Sequence, residues 1–235
     1  MLDKQKHQLI MGRILRDIYR DNSLAPVLGF KGGTCAYFFY GLPRFSVDLD
    51  FDLLGQEPDI KKIFSDVKAI LAEYGQLKDE HIKQNTILFH LSYGPGEHKV
   101  KIEISTRYSV MEASRSYSAQ KYLGISMLAA KKAYLFAGKL LALGGRSELA
   151  MRDIYDAWFF AKNSWDIDYG VIQENTGQEA RQYLGKCIAR IEQVKENQIL
   201  KGLGELVPEK DKSWLKNNLK QETMFLLENY QEVYR

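Results

Sequence analysis

The fold turns on the segment Phe30-Lys31-Gly32-Gly33-Thr34-Cys35-Ala36-Tyr37-Phe38-Phe39-Tyr40-Gly41-Leu42-Pro43-Arg44-Phe45-Ser46-Val47-Asp48-Leu49-Asp50-Phe51-Asp52-Leu53. From Val47 to Leu53 acids and apolar residues alternate strictly, with Asp48, Asp50 and Asp52 on one side and Leu49, Phe51 and Leu53 on the other. This predicts a half-buried strand with an acidic face. Same-side neighbours on a strand lie about 6.5 to 7 Å apart, close enough for Asp48 and Asp50 to hold divalent cations jointly. Acids are poor strand formers and adjacent like charges repel, so such a face costs stability unless a cation occupies it. An EF-hand reading fails, because that loop needs Gly where Leu53 stands and Glu where Asp59 stands.

Upstream, Gly32-Gly33-Thr34 separates the short apolar run Val27 to Phe30 from the aromatic stretch Cys35 to Tyr40. That order reads as strand, tight turn and short buried helix. Backbone N–H groups at such a turn can face a phosphate with no side chain in the way. No Gly-Lys-Ser/Thr follows and no third glycine stands at the dinucleotide offset, so neither the P-loop nor the Rossmann fingerprint applies.

Working outward, residues 2 to 21 carry Leu2, Leu9, Ile10, Ile14, Leu15 and Ile18 at helical spacing, and Asp59 to Tyr74 repeats the pattern with Ile60, Ile63, Phe64, Val67, Ile70 and Leu71. The period then becomes two. Ile87, Phe89, Leu91 and Tyr93, a turn at Gly94-Pro95-Gly96, and Val100, Ile102 and Ile104 predict a hairpin with Lys99, Lys101 and Glu103 on its opposite face. From about Ser126 onward helical patterns take over, at Met127 to Leu143, Ser147 to Asn163, Tyr169 to Glu196 and Ser213 to Tyr234. The expected architecture is α+β: a mixed sheet with flanking helices over residues 1–115, then a helical part over 116–235, joined within the polar stretch 106–125.

In the helical half, Lys132 and Lys139 are seven apart and form a basic stripe, while Asp153 and Asp156, three apart, share a helix face. A helical hairpin through Gly144-Gly145 would bring the two sets together. Read alone, Lys139 is equally a solvated lysine, and Arg152 with Asp153 or Asp156 a surface ion pair. The aromatic residues Tyr169, Tyr183, Trp214, Tyr230 and Tyr234 are expected as helical core.

Composition narrows the class. Over 235 residues, 33 Lys+Arg against 30 Asp+Glu leave a charge of +3, which excludes a broad basic field coating nucleic acid. Hydrophobic residues at 45% and aromatics at 12% support a substantial core. Cys35 and Cys187 give no disulfide framework, and with His7, His81, His90 and His98 they give no zinc cluster. Charges interrupt the N-terminus where a signal peptide needs an apolar run, and Lys131, Lys132 and Lys139 cut the most apolar later stretch. The expectation is a soluble cytoplasmic protein with no membrane partner.

The segment Phe30 to Thr34, continued by Leu42-Pro43-Arg44-Phe45-Ser46-Val47-Asp48-Leu49-Asp50, resembles the first motif of the AbiEii/AbiGii toxin family of DNA polymerase β-type nucleotidyltransferases: a glycine pair at a helix start, an Arg-x-Ser, and an Asp-x-Asp strand. A second block, Lys139 to Asp156 with Ala142, Arg146, Arg152-Asp153 and Tyr155-Asp156, resembles that branch's later helical motif. The resemblance spans roughly residues 30 to 160 and implies transfer of a nucleoside monophosphate from a nucleoside triphosphate (NTP) to an acceptor hydroxyl, with the helical part closing over the nucleotide. It implies two Mg²⁺ ions on Asp48 and Asp50, with Glu103 as a third acid from a neighbouring strand. Glu103 departs from the usual Asp, and Lys101 beside it could instead neutralise it. Gly32, Gly33 and Thr34, with Arg44 and Ser46, are implied at the nucleotide. Lys139 is implied both as nucleotide ligand and as the catalytic cation on pyrophosphate, and Asp153 as a catalytic group that orients Lys139 or serves the acceptor proton. The family further implies a toxin of a type IV toxin–antitoxin or abortive-infection system, an RNA or transfer RNA acceptor, and a cognate antitoxin. Two alternatives stand: a protein or small-molecule acceptor, as for a modifying antitoxin or an antibiotic-modifying enzyme, and a non-catalytic nucleotide-binding partner. The intact Asp48 and Asp50 favour an enzyme.

Overall fold

The computed structural model describes residues 3–55, 58–95, 98–107 and 113–233. Leu2, Gly96, Tyr234 and the middle of the expected joint, 108–112, lie outside the described residues. In chain order the elements are α1 (Lys4–Arg20), β1 (Leu28–Lys31), α2 (Gly32–Phe39), β2 (Asp48–Leu53), α3 (Ile60–Ala72), β3 (Gln76–Lys83), β4 (Thr86–Ser92) and β5 (Lys99–Ser105). Then follow α4 (Ala113–Ser116), β6 (Tyr117–Tyr122), β7 (Ile125–Ala130), α5 (Lys132–Gly145), α6 (Met151–Lys162), α7 (Tyr169–Thr176), α8 (Ala180–Glu192) and α9 (Glu209–Val233). Two compact units result: Met1–Gly41 with Phe45–Lys131, and Leu42–Arg44 with Lys132–Arg235.

The first unit is a mixed seven-stranded sheet of order β3-β4-β5-β2-β1-β7-β6. β2 runs antiparallel to β1 and parallel to β5, and β1 runs parallel to β7. Side chains alternate across β2 as expected: Leu49 and Phe51 are fully buried, with the Phe51 ring 5.5 Å from Phe30, whose ring in turn meets Phe38 and Phe39 of α2. On the same apolar side of the sheet Phe64 of α3 stacks on Phe89 of β4. The Asp3 side chain accepts the Lys6 N–H and caps α1. The Tyr19 hydroxyl of α1 lies 2.7 Å and 3.0 Å from the Leu28 and Leu128 carbonyls and accepts the Phe30 N–H, tying β1 to β7.

Three departures from the sequence reading have physical causes. The helix expected from Met127 starts at Lys132, because Ile125–Ala130 is a strand of the sheet in which Met127, Ala129 and Ala130 are buried while Ile125 and Leu128 are partly exposed. The run Met127-Leu128-Ala129-Ala130 does not alternate between apolar and polar residues, and only Lys131 and Lys132 separate it from the apolar helix that follows, so the two merge in the sequence. Residues 117–130, expected in the helical part, therefore complete the sheet as β6 and β7. The single pattern Tyr169 to Glu196 is two helices, broken where Gly177 takes the left-handed conformation at φ 67° and ends α7. β3, rich in charge, forms an exposed edge of the sheet, where a polar sequence protects against strand addition.

The second unit is helical, with α5, α6, α8 and α9 packed around Leu140, Leu143, Ile154, Phe160, Leu184, Leu219 and Leu227. Tyr183 and Tyr230 are structural as expected: the first is buried beside Gly144, and the second donates to the Trp165 carbonyl. Trp214 departs from that expectation at 38% exposed. Among the described residues no helix is long and apolar enough to cross a membrane.

Candidate active site

Asp48 and Asp50 project from the same side of β2, and both are half-buried. The parallel pairing of β2 with β5 sets Asp48 beside Lys101 and Asp50 beside Glu103. Glu103 thus stands on the acidic side, while its carboxylate is 2.9 Å from Lys101 Nζ. Burial would depress the Lys101 pKa, but Asp50, Glu103 and Asp48 outweigh it and hold the amine above its ordinary value. An acidic strand face is here balanced by a cation on the next strand.

Gly32 opens α2 at φ 78°, and Asp50 occupies the space where a side chain at position 32 would lie: an added Cβ would overlap Asp50 Oδ2 and stand 3.1 Å from its Cγ. Only glycine accepts that conformation without strain, so a close approach between the α2 turn and a carboxylate is written into Gly32-Gly33. The Thr34 side chain is fully buried; its hydroxyl hydrogen-bonds to the Asp48 carbonyl and lies 2.9 Å from the Ser46 hydroxyl. Thr34 and Ser46 thus connect the first turn of α2 to the start of β2. Asp52, third in the alternation, is tied up farther along the strand, where Lys31 Nζ and the Tyr117 hydroxyl each reach it at 2.5 Å.

The donor set suits a hard divalent cation. Among the described residues no cluster of three or more His, Cys, Asp or Glu could hold a metal ion alone. Mg²⁺ is commonly held by one or two carboxylates together with substrate phosphates, and Asp48 and Asp50 fit that requirement.

In the helical unit, five charged side chains alternate. Arg44 donates from Nε and Nη2 to the two oxygens of Asp156 at 2.5 and 2.6 Å, both residues being at most 2% exposed. Lys139 Nζ lies 2.8 Å from Asp156 and 2.9 Å from Asp153, and Arg146 Nη1 donates to the other oxygen of Asp153 at 2.6 Å. Three cations thus face two carboxylates. Burial would lower the Lys139 pKa, yet Asp153 and Asp156 raise it, so the amine stays charged; burial would raise Asp153, yet Lys139 and Arg146 lower it.

The geometry brings Asp48, Asp50, Glu103, Gly32, Gly33, Thr34 and Ser46 together around the start of β2. Lys139, Asp153 and Arg44 meet in the helical unit. Arg44, expected at the nucleotide, has its guanidinium engaged with Asp156, and Thr34 turns its hydroxyl toward backbone. The Lys132 amine lies over the Trp165 ring, 5.3 Å from its centroid. Sequence reasoning missed His7, whose ring reaches the Val47 carbonyl; the signal was its place on the same buried face of α1 as Met11, Ile14 and Ile18.

Seen whole, the chain is similar in fold to a candidate nucleotidyltransferase from H. pylori, with a TM-score of 0.56 at 21% identity over 96% of each chain. It is likewise similar to JHP933 from Helicobacter pylori, with a TM-score of 0.56 at 20% identity over 99% of this chain and 97% of that one. No curated protein matches the sequence. The family model described as nucleotidyl transferase AbiEii toxin, type IV TA system, matches residues 13–231, and the chain belongs to that family. It is a nucleotidyltransferase.

Proposed function

We propose that the protein transfers a nucleoside monophosphate from an NTP to an RNA hydroxyl, with the end of a transfer RNA as acceptor, in a Mg²⁺-dependent reaction. The observation that carries this reading is the Asp50 carboxylate packed against Gly32 at the start of α2, which joins a phosphate-binding turn to a cation-binding strand. Asp48 and Asp50, with Glu103 on the neighbouring strand, would hold the cation, which when bound draws charge from the triphosphate and favours in-line displacement at the α-phosphorus.

The amides of Gly32 and Gly33 receive the β and γ phosphates at the positive end of α2. Thr34 and Ser46 hold that turn to β2. As the acceptor hydroxyl gives up its proton to solvent and its oxygen bonds to the α-phosphorus, the bond to the bridging oxygen breaks and pyrophosphate leaves with the added charge, for which Lys139 is the proposed counter-cation. Asp153 and Asp156 keep Lys139 protonated. Arg44 contributes by fixing Asp156.

Membership of a toxin family supports a cytoplasmic site of action and a cognate antitoxin as partner. The test is incubation with each α-labelled NTP, Mg²⁺ and total RNA, followed by expression in a bacterial host. Label is expected in RNA, growth should arrest, and Asp48→Ala should abolish both while retaining the folded circular dichroism spectrum, since removing one acid from a repulsive cluster seldom destabilises. Harmless expression with label only in protein would overturn the RNA reading.

A further inference from the structure

His7 is fully buried in the second turn of α1, and it precedes residue 13, where the family match begins. Its Nε2 lies 2.9 Å from the Val47 carbonyl oxygen and its Nδ1 lies 2.8 Å from the Tyr93 hydroxyl. A carbonyl only accepts, so Nε2 carries the hydrogen; in the neutral ring Nδ1 then accepts from Tyr93. The Phe45 and Tyr93 rings meet the imidazole edge-on at 5.9 and 5.6 Å and hold its plane.

The Val47 carbonyl belongs to the peptide unit that ends at the Asp48 Cα. Because that unit is planar, a hydrogen bond to its oxygen fixes the direction from which the chain enters Asp48. The next peptide unit is held in the same way, by the Thr34 hydroxyl on the Asp48 carbonyl. Both soft dihedrals of Asp48 are therefore set by buried side chains, one from α1 and one from α2.

We propose that His7 is a positioning residue for Asp48, acting through the Val47 carbonyl to aim the carboxylate at its cation. The inference rests on the reading of Asp48 as a metal ligand. It gives the first two turns of α1 a part in the reaction site. Groups that orient a ligand without touching the metal set its affinity, because every degree of freedom left to the ligand must be frozen when the ion binds.

The test uses the full chain with Mn²⁺ as probe in the presence of a fixed excess of an α,β-methylene NTP analogue, which supplies the phosphates but cannot be cleaved, with protein-bound Mn²⁺ followed by electron paramagnetic resonance, together with thermal unfolding and nucleotidyl transfer. His7→Gln keeps an N–H at the Nε2 position and should bind Mn²⁺ within about twofold of wild type, whereas His7→Asn places its amide near Nδ1, loses the bond to Val47 and should bind about tenfold more weakly. Transfer by His7→Asn should recover as Mn²⁺ is raised. Should His7→Asn fail to fold, Tyr93→Phe carries the test: it removes the hydroxyl that holds the ring at Nδ1 and should weaken Mn²⁺ binding in the same direction, by about threefold. Wild-type Mn²⁺ affinity in the folded variants, or equal loss in His7→Gln and His7→Asn, would overturn the proposal. Wild-type protein that binds Mn²⁺ but transfers no nucleotide would instead overturn the functional reading and leave the positioning role standing.

Discussion

Asp50 occupies the volume that any side chain at position 32 would need, with its Cβ 3.0 Å and its Cγ 3.1 Å from where a residue-32 Cβ would sit. The glycine is therefore a condition for the carboxylate's position as well as for the turn. Gly32→Ala should cost about 1 to 2 kcal/mol from its left-handed backbone alone, and it should reduce transfer far more than stability because Asp50 must move. Urea unfolding beside a turnover assay separates the two effects; full activity in a destabilised variant would show that Asp50 can shift without consequence.

Nucleotide binding should depend on the divalent cation. Polyphosphate approaching Asp48, Asp50 and Glu103 meets like charge, offset only in part by Lys101. Calorimetry with and without a chelator should show much weaker NTP binding without metal, and equal affinity in both conditions would place the acids away from the nucleotide.

The Arg44–Asp156 pair predicts a large stability effect from a residue that the sequence alone assigns to substrate. Truncating Arg44 strips Asp156 of its bidentate partner and leaves it only Lys139, which it shares with Asp153, so Arg44→Met should destabilise by about 3 kcal/mol, the low end for a broken buried pair, and Arg44→Lys should recover only part because an ammonium cannot span both carboxylate oxygens. Denaturant midpoints measure this directly. A loss of activity with unchanged stability would return Arg44 to the phosphates.

The charged network also predicts how stability follows pH. The Asp153 pKa is lowered from 3.8, so its contribution is complete above pH 3.8 and disappears as pH falls through its lower folded value. Lys139 is raised from 10.5, so its contribution is complete below that value and is lost as pH climbs through the higher folded one. Asp153→Asn should flatten the acid limb of a stability profile and Lys139→Met the alkaline limb. Unfolding curves collected across pH would reveal either limb persisting if the network were not its source.

Much of the first unit was legible because one face of β2 had to be buried: the alternation around Leu49 and Phe51 put the acids on the opposite face, and the period-two hairpin put Glu103 on its polar face, while the pairing of β5 with β2 that sets Glu103 beside Asp50 came from the structure. The helix pair carrying Lys139, Asp153 and Asp156 was legible from spacing, since residues three apart share a face. What escaped were contacts between residues far apart in sequence. Asp52 looks equivalent to Asp48 and Asp50 until Lys31 and Tyr117 close over it, 21 and 65 positions away. β7 escaped because its run Met127-Leu128-Ala129-Ala130 is apolar at every position and leads into an apolar helix, with no alternation to identify a strand.

Residues 42–44 group with the helices although the chain before and after them belongs to the sheet. The protein accordingly has no single cut that yields two self-sufficient pieces. A fragment beginning at Lys132 would keep Asp156 but lack its bidentate guanidinium, and a fragment ending at Lys131 would carry Arg44 with no carboxylate to receive it. Severed between Lys131 and Lys132, the pieces should behave as complementing fragments, because Arg44 and Asp156 regain their paired hydrogen bonds only when both pieces are present.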